Sequence, residues 1–354
     1  MDPTRLIPQT LPIPVEWGWF YLFQVVTFIL HILVMNVMLG ASIIALVHHL
    51  RGRKETEGLT KGISVKLPFT VAFAVNFGVA PLLFMQVLYG QFLYTSSVLM
   101  AVYWLGVVGL IILAYGSAYI YDFRYATLGG LKTFFIGLTA LCLLFVAFIF
   151  TNNMTLMLRP EVWAEHLDNG GGTLLNLADP TILPRYLHIV ASSIAVAGLA
   201  LALLYDRRKG DPEARRWVRH GVNWYAFATM VQMALGLWFL TALPEPVSRL
   251  LLGGSLPHTV IFAAGAILGI FSISNALRYN VGTTAILSLT TISLMVYLRD
   301  MVRDAYLAPY FRVDERVVTG EYLPFILFVL TLLAGLAIVA WMLRAAAQDK
   351  EVRS

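Results

Sequence analysis

"RYLHIVASSIAVAGLALALLY", residues 185–205, decides how this chain folds. After Arg185 and His188 it holds no further acidic or basic group. At about 1.5 Å per residue a helix of this length covers ~30 Å, the thickness of a bilayer's hydrocarbon core. The stretch reads as a membrane-spanning helix that begins with a cation and an imidazole. Both are expensive in lipid unless something binds them.

The rest of the chain is built the same way. Of its 354 residues, 59% are hydrophobic and 13% are charged, where a soluble domain carries about 25% charged residues. Eight further runs are long enough to span: 18–49, 67–94, 98–121, 133–152, 221–243, 257–277, 281–300 and 322–344. The first exceeds what a span requires, so its far end is expected to project from the membrane. The run 281–300 carries several Thr and ends in charges. The fold class expected is all-α, a polytopic transmembrane helix bundle of about nine spans. Cys142 is the single cysteine, which excludes a disulfide framework or a thiolate metal cluster. The first sixteen residues hold four prolines and no apolar core, unlike a cleavable signal peptide.

Seventeen of the 25 Lys and Arg fall in 51–66, 122–132, 206–220, Arg278 and the tail, all on one side of the spans. The other side has eight. The positive-inside rule then places the N-terminus outside and the C-terminus in the cytoplasm. The net charge of +5 comes from these short basic connections and is no signal for nucleic acid. An outer N-terminal segment, 1–16, precedes a single membrane domain, 17–354. Within it lie a first four-helix half (17–152), an outer loop (153–184), the fifth and sixth helices (185–243) and the C-terminal helices (244–354). The outer connections 153–184, 244–256 and 299–321 are the larger ones, so a partner is expected to dock there. No sequence repeat is evident.

No Asp, Glu, Lys or Arg falls near the middle of any run, so a proton path across this chain alone is not supported. The interior polar groups are Gln24, His31, Asn36, Asn76, Gln86, Asn223 and Gln232, with hydroxyls. His31 lies about 20 Å into the first helix, in a stripe with Gln24, Phe28, Met35 and Met38 at helical spacing. Two readings stand. His31 ligates a haem iron with Met35 and Phe28 lining the macrocycle, or it bonds a neighbouring helix amid ordinary packing. His188 sits one turn into the fifth helix, before a small face of Ala191, Ser192, Ala195 and Gly198. Small residues admit either another helix or a flat macrocycle. Arg185, one turn to the water side, suits a haem propionate, because guanidinium binds carboxylate bidentately. The alternative is an Arg and a His among headgroups. His258 opens the seventh run at a similar depth and could be a second axial ligand opposite His188. His48, His49 and His220 read as interfacial polar residues, and His166 with Glu165 and Asp168 as a solvated cluster or a quinol proton acceptor. A transporter would show broken helices, repeats and midplane charges, and none is clear.

Several segments together resemble subunit I of the cytochrome bd quinol oxidases. They are "HILVMNVMLG" (31–40), "VNFGVAPLLFMQVLYG" (75–90), "NNMTLMLRP" (152–160) and "RYLHIVASS" (185–193). The likeness covers roughly residues 17–243. It implies that His31 and His188 are haem ligands, His188 on a low-spin haem b. The departures are as informative. Gln86 stands where the family has a glutamate. The run 281–298 shows no acid that would ligate a high-spin haem. The connection between the sixth and seventh spans is too short for the family's quinol loop, and the seventh span lacks the family's axial methionine.

The function expected is a b-haem electron-transfer subunit in the inner membrane of a prokaryote. It would carry one or two haems b and pass electrons between the quinone pool and an outer-side redox partner, a c-type cytochrome or an iron–sulfur protein. Further membrane subunits are expected beside it. A divergent quinol-oxidising terminal oxidase and a haem-free membrane anchor are the alternatives.

Overall fold

The structure, a computed structural model, describes residues 3–52, 54–164, 170–207 and 211–352. Among them nine helices are long and apolar enough to cross a membrane. They are α1 (Trp17–Leu50), α2 (Glu57–Leu99), α3 (Ala101–Phe123), α4 (Leu131–Met157), α6 (Ile182–Asp206), α7 (Pro212–Ala242), α9 (Leu256–Leu277), α10 (Val281–Leu307) and α11 (Tyr322–Val352). Two short helices, α5 (Pro160–Trp163) and α8 (Glu245–Arg249), lie in the connections. We call the end where α1 and α6 begin the upper end and the opposite end, with the basic connections, the lower end.

Each expected span is present, but several helices run beyond their apolar stretch. α7 starts at Pro212 because Asp211 caps it, its Oδ1 accepting the Glu213 N–H at 2.8 Å. Much of the expected basic loop 206–220 is therefore helix. At the upper end α10 continues to Leu307, so Arg299, Asp300, Arg303 and Asp304 are helical and not part of a loop 299–321. The helix tolerates these charges because they neutralise one another along its face. Arg303 Nη1 is 2.9 Å from Asp300 Oδ1, at i,i+3 spacing. Asp300 is fully buried. The expected run 281–300 already ends in charges; what the structure adds is that this end stays helical to Leu307 and that Asp300 is buried in it.

α2 is the longest helix, and it bends. Pro68 and Pro81 lie inside it, and Tyr89 leaves helical geometry at φ −132°, ψ 28°. A proline removes a backbone donor and crowds the preceding turn, which leaves carbonyls free. Beside the break, the Leu88 carbonyl accepts from Arg316 Nη1 at 3.2 Å. Arg316 also reaches the Leu11 carbonyl at 2.6 Å, and Ile13 pairs with Val318 in a short parallel bridge. The N-terminal segment is thus tied across the upper end to the connection before α11.

The closest helix pairs are α6 with α7 and α1 with α2, and α1 also packs on α6. Asn36 Nδ2 donates to Ser192 Oγ at 3.3 Å, and Ser193 Oγ donates to Asn36 Oδ1 at 2.8 Å. One turn on, Gly40 lies against the Ser193 carbonyl and Ala197. The contacts advance together, so α1 and α6 run parallel, offset by 156–157 residues. That offset brings His31 level with His188. α6 and α7 cross at Gly198 and Gly221: a Cβ on Gly198 would stand 2.7 Å from the Gly221 carbonyl oxygen. The small face of α6 is therefore used by helices. α11 stands at the edge and meets the bundle near its upper end, through Phe325 and Phe328 against Trp19, Phe23 and Phe84.

Replacing Gly198 with Leu overpacks the α6–α7 crossing and is expected to cost about 1–3 kcal/mol. A lower thermal unfolding midpoint in detergent, with Gly18→Leu as a control in open space, checks this.

Candidate functional site

His31 and His188 are held by the same device. His31 Nδ1 lies 3.0 Å from the Ala74 carbonyl of α2, and His188 Nδ1 lies 3.1 Å from the Gln232 carbonyl of α7. Four residues after each carbonyl comes a glycine, Gly78 or Gly236. In a helix, the residue four on covers the carbonyl with its side chain unless that residue is glycine. A Cβ on Gly78 would stand 2.9 Å from His31 Cε1, and one on Gly236 would stand 3.3 Å from His188 Cε1. The missing methyl lets each ring reach a carbonyl that already serves its own helix. The carbonyl sits 43 residues after His31 and 44 after His188, so the two hairpins, α1–α2 and α6–α7, repeat one design. Sequence reading found both histidines but missed the carbonyl–glycine pairs, because the helix register that unites them is not local.

A carbonyl only accepts, so in each ring Nδ1 carries the hydrogen and Nε2 keeps the lone pair. A histidine that ligates a metal through Nε2 is oriented in this way by its second nitrogen. At His188 the lone pair faces a polar group, since Gln232 Nε2 lies 3.2 Å from His188 Nε2. A metal taking that lone pair would displace the amide. The other histidines with described contacts are held differently. His48 Nε2 meets His220 Nε2 at 2.8 Å, His49 Nε2 meets Tyr121 OH at 2.8 Å, and His258 Nδ1 meets Ser255 Oγ at 2.7 Å. His48, His49 and His220 thus join helices at the lower end. His258 is tied into its own first turn, while His188 faces α7. His166, with Glu165 and Asp168, lies outside the described residues.

Above the two histidines lies a cluster of charge, buried at Asp300 and Arg303 and half-buried at Arg185 and Arg299. The Arg299 guanidinium sits 4.3 Å from the Phe28 ring centre, and Phe28 is 6.3 Å from the His31 ring. Arg299 is 3.3 Å from Asp300 Oδ1 and its Nη2 is 3.8 Å from Met154 sulfur. Arg303 covers the Tyr89 ring at 4.1 Å and donates to Tyr89 OH at 3.3 Å; Tyr89 OH in turn donates to Asp304 at 2.7 Å. Arg185 lies over the Phe239 ring at 4.9 Å. Four buried polar atoms here make no hydrogen bond: Arg185 Nε, Arg303 Nε, Asp300 Oδ2 and Tyr306 OH. Arg303 Nε still faces Asp304 Oδ1 at 3.7 Å, whereas Arg185 Nε makes no hydrogen bond, which is costly in low dielectric and which an acidic group would satisfy. Two imidazoles, each with Nδ1 held by a helical carbonyl, below a group of guanidiniums form a donor set that would suit a haem and its propionates.

Of the other expected site residues, Met35 packs beside the buried core of α1–α4, and Gln86 is half-buried next to Met85, whose sulfur meets Arg303 Nη1 at 3.7 Å. The arginines and acids of α10 were missed as site residues because they sit where the apolar run ends. Their spacing at 299, 300, 303 and 304, one face of a helix, was the available signal.

No family model matches the sequence, and no curated protein matches it. Among solved structures, the chain is similar to the bd oxidase from Geobacillus thermodenitrificans, with a TM-score of 0.70 and 13% identity over 96% of each chain. At that identity the likeness concerns the fold alone, which is like that of a bd oxidase.

Proposed function

We propose that the chain is a b-haem electron-transfer subunit of a quinol-linked respiratory complex. The upper end would face the outside and the lower, basic end the cytoplasm of a prokaryotic inner membrane. The observation that carries this is the matched pair of histidines, each with Nδ1 on a helical carbonyl over a glycine. His31 and His188 would hold one haem b each through Nε2. Arg185, Arg299 and Arg303 would take the propionates. Bound haem would supply one-electron chemistry, and the chain would supply burial, orientation and the surrounding charge. Electrons would pass between quinol and an outer redox partner, a c-type cytochrome or an iron–sulfur protein, docked on the upper connections. Other membrane subunits would pack against the bundle.

The second reading, a divergent terminal oxidase, gains from Asp300. This acid is fully buried and has one oxygen free of partners, on a helix packed against α1. A reduced-minus-oxidised optical spectrum separates the readings. Low-spin b-type bands alone support electron transfer. A high-spin component with oxygen uptake favours the oxidase, and no haem absorbance leaves a haem-free anchor.

His188→Ala is expected to abolish a low-spin α band in the difference spectrum; an unchanged spectrum contradicts the assignment. Arg185→Leu removes a cation that favours the reduced haem. Redox titration should show a lower potential, by on the order of 60 mV, a tenfold change in a one-electron equilibrium.

A further inference from the structure

Among the described residues, Tyr279 is the one residue other than glycine with a left-handed backbone, at φ 58°. It sits at the lower end, in the connection between α9 and α10, which is only Arg278, Tyr279 and Asn280. The Tyr279 N–H donates to the Ala276 carbonyl at 2.8 Å, and the Asn280 N–H donates to the Asn275 carbonyl at 3.0 Å. These two bonds close α9 in the way that ordinarily calls for glycine here, because a Cβ crowds the left-handed turn. Asn280 then caps α10 at once, its side chain accepting the Thr283 N–H at 3.4 Å. A tyrosine kept where glycine would be easier points to a use for its side chain.

That side chain meets α7, where the Arg219 guanidinium lies 5.6 Å from its ring centre. Arg219 and Arg278 are exposed, and neither makes an ion pair among the described residues. The acids near the start of α7 are engaged elsewhere. Asp211 caps the helix, Glu213 accepts from Trp217, and Glu55 pairs with Arg216. Along α7 the exposed residues Arg215, Arg219, Asn223 and Phe227 follow at i,i+4 spacing, one stripe that runs upward from cation to amide to ring. Asn223 makes no hydrogen bond among the described residues. Two other amides near the bundle surface, Asn76 and Asn275, turn back onto carbonyls of their own helices at 2.8 and 2.9 Å. An amide left unpaired in a membrane span is costly unless a polar group of the lipid meets it.

We propose that Arg219, Arg278 and Tyr279 form a site for the phosphate of an anionic phospholipid. Arg215 would lie beside the headgroup, Asn223 at the ester groups and Phe227 along an acyl chain. Guanidinium matches phosphate through paired N–H donors, and the tyrosine hydroxyl adds one more. Basic pockets between membrane helices on the positively charged side suit such headgroups. The bound lipid would join α7 to the α9–α10 hairpin at the lower end. The proposal stands apart from the haem reading and does not rest on it.

The test uses the full chain purified in neutral detergent. Phosphatidylglycerol or phosphatidylcholine is titrated in, and bound lipid is read by native mass spectrometry. Wild type should bind phosphatidylglycerol the more tightly. Each guanidinium near an anionic headgroup contributes about a fivefold change in binding, so Arg219→Gln with Arg278→Gln should weaken phosphatidylglycerol by roughly 25-fold and phosphatidylcholine far less. Arg51→Gln with Arg124→Gln removes two exposed cations elsewhere at the lower end and should change neither. Tyr279→Gly relaxes the turn and removes the ring. Its thermal midpoint without lipid should rise while its phosphatidylglycerol binding falls. A wild type without preference for phosphatidylglycerol overturns the proposal. Equal losses in the two double variants do the same, because they mark unspecific charge attraction. A Tyr279→Gly chain with a lower midpoint and unchanged lipid binding also overturns it, since the ring would then serve only the fold.

Discussion

The site depends on one hydrogen bond made twice: an imidazole N–H from one membrane helix to a backbone carbonyl of the next. In lipid no water competes for that N–H, and a histidine without a partner would be costly. The carbonyl is already engaged within its helix, so the bond needs a ring at unusually close range. Gly78 and Gly236 provide it. The bond fixes each ring's rotation and tautomer, and so fixes where the second nitrogen points. With α1 and α6 running parallel at the offset set by Asn36, Ser192 and Ser193, the two rings come to one depth.

Charge at the upper end follows from the same low dielectric. Arg303 is buried and Arg185 and Arg299 half-buried among apolar helices, and Asp300 and Asp304 compensate these cations only in part. A buried ion pair left with orphaned atoms is poor as a stabilising device and better suited to a bound acidic group. The kink of α2 belongs to this arrangement. It places Tyr89 beside Arg303 and hands the Leu88 carbonyl to Arg316.

Nine spans were legible in the sequence, because lipid demands long apolar helices and leaves few other solutions. His31, His188 and Arg185 were legible because an ionisable group in an apolar run stands out. What surrounds them was not. The carbonyl acceptors lie more than forty residues away, on helices whose facing could not be read. The repeat of the two hairpins left no visible mark, since it resides in a histidine, a carbonyl and a glycine. The eighth span was expected to end with its charges at 299 and 300, whereas the pairing of Asp300 with Arg303 lets the helix continue to Leu307. The face of Ala195 and Gly198 admitted a helix or a macrocycle, and α7 occupies it.

On the proposed reading, the two equivalent histidine notches each hold one haem. Counting haem by pyridine haemochrome in the purified chain tests this most directly, together with the His31→Ala and His188→Ala variants. Two haems b per chain, falling to one in each variant, is the expected result. No haem, or a count that neither substitution changes, would contradict it.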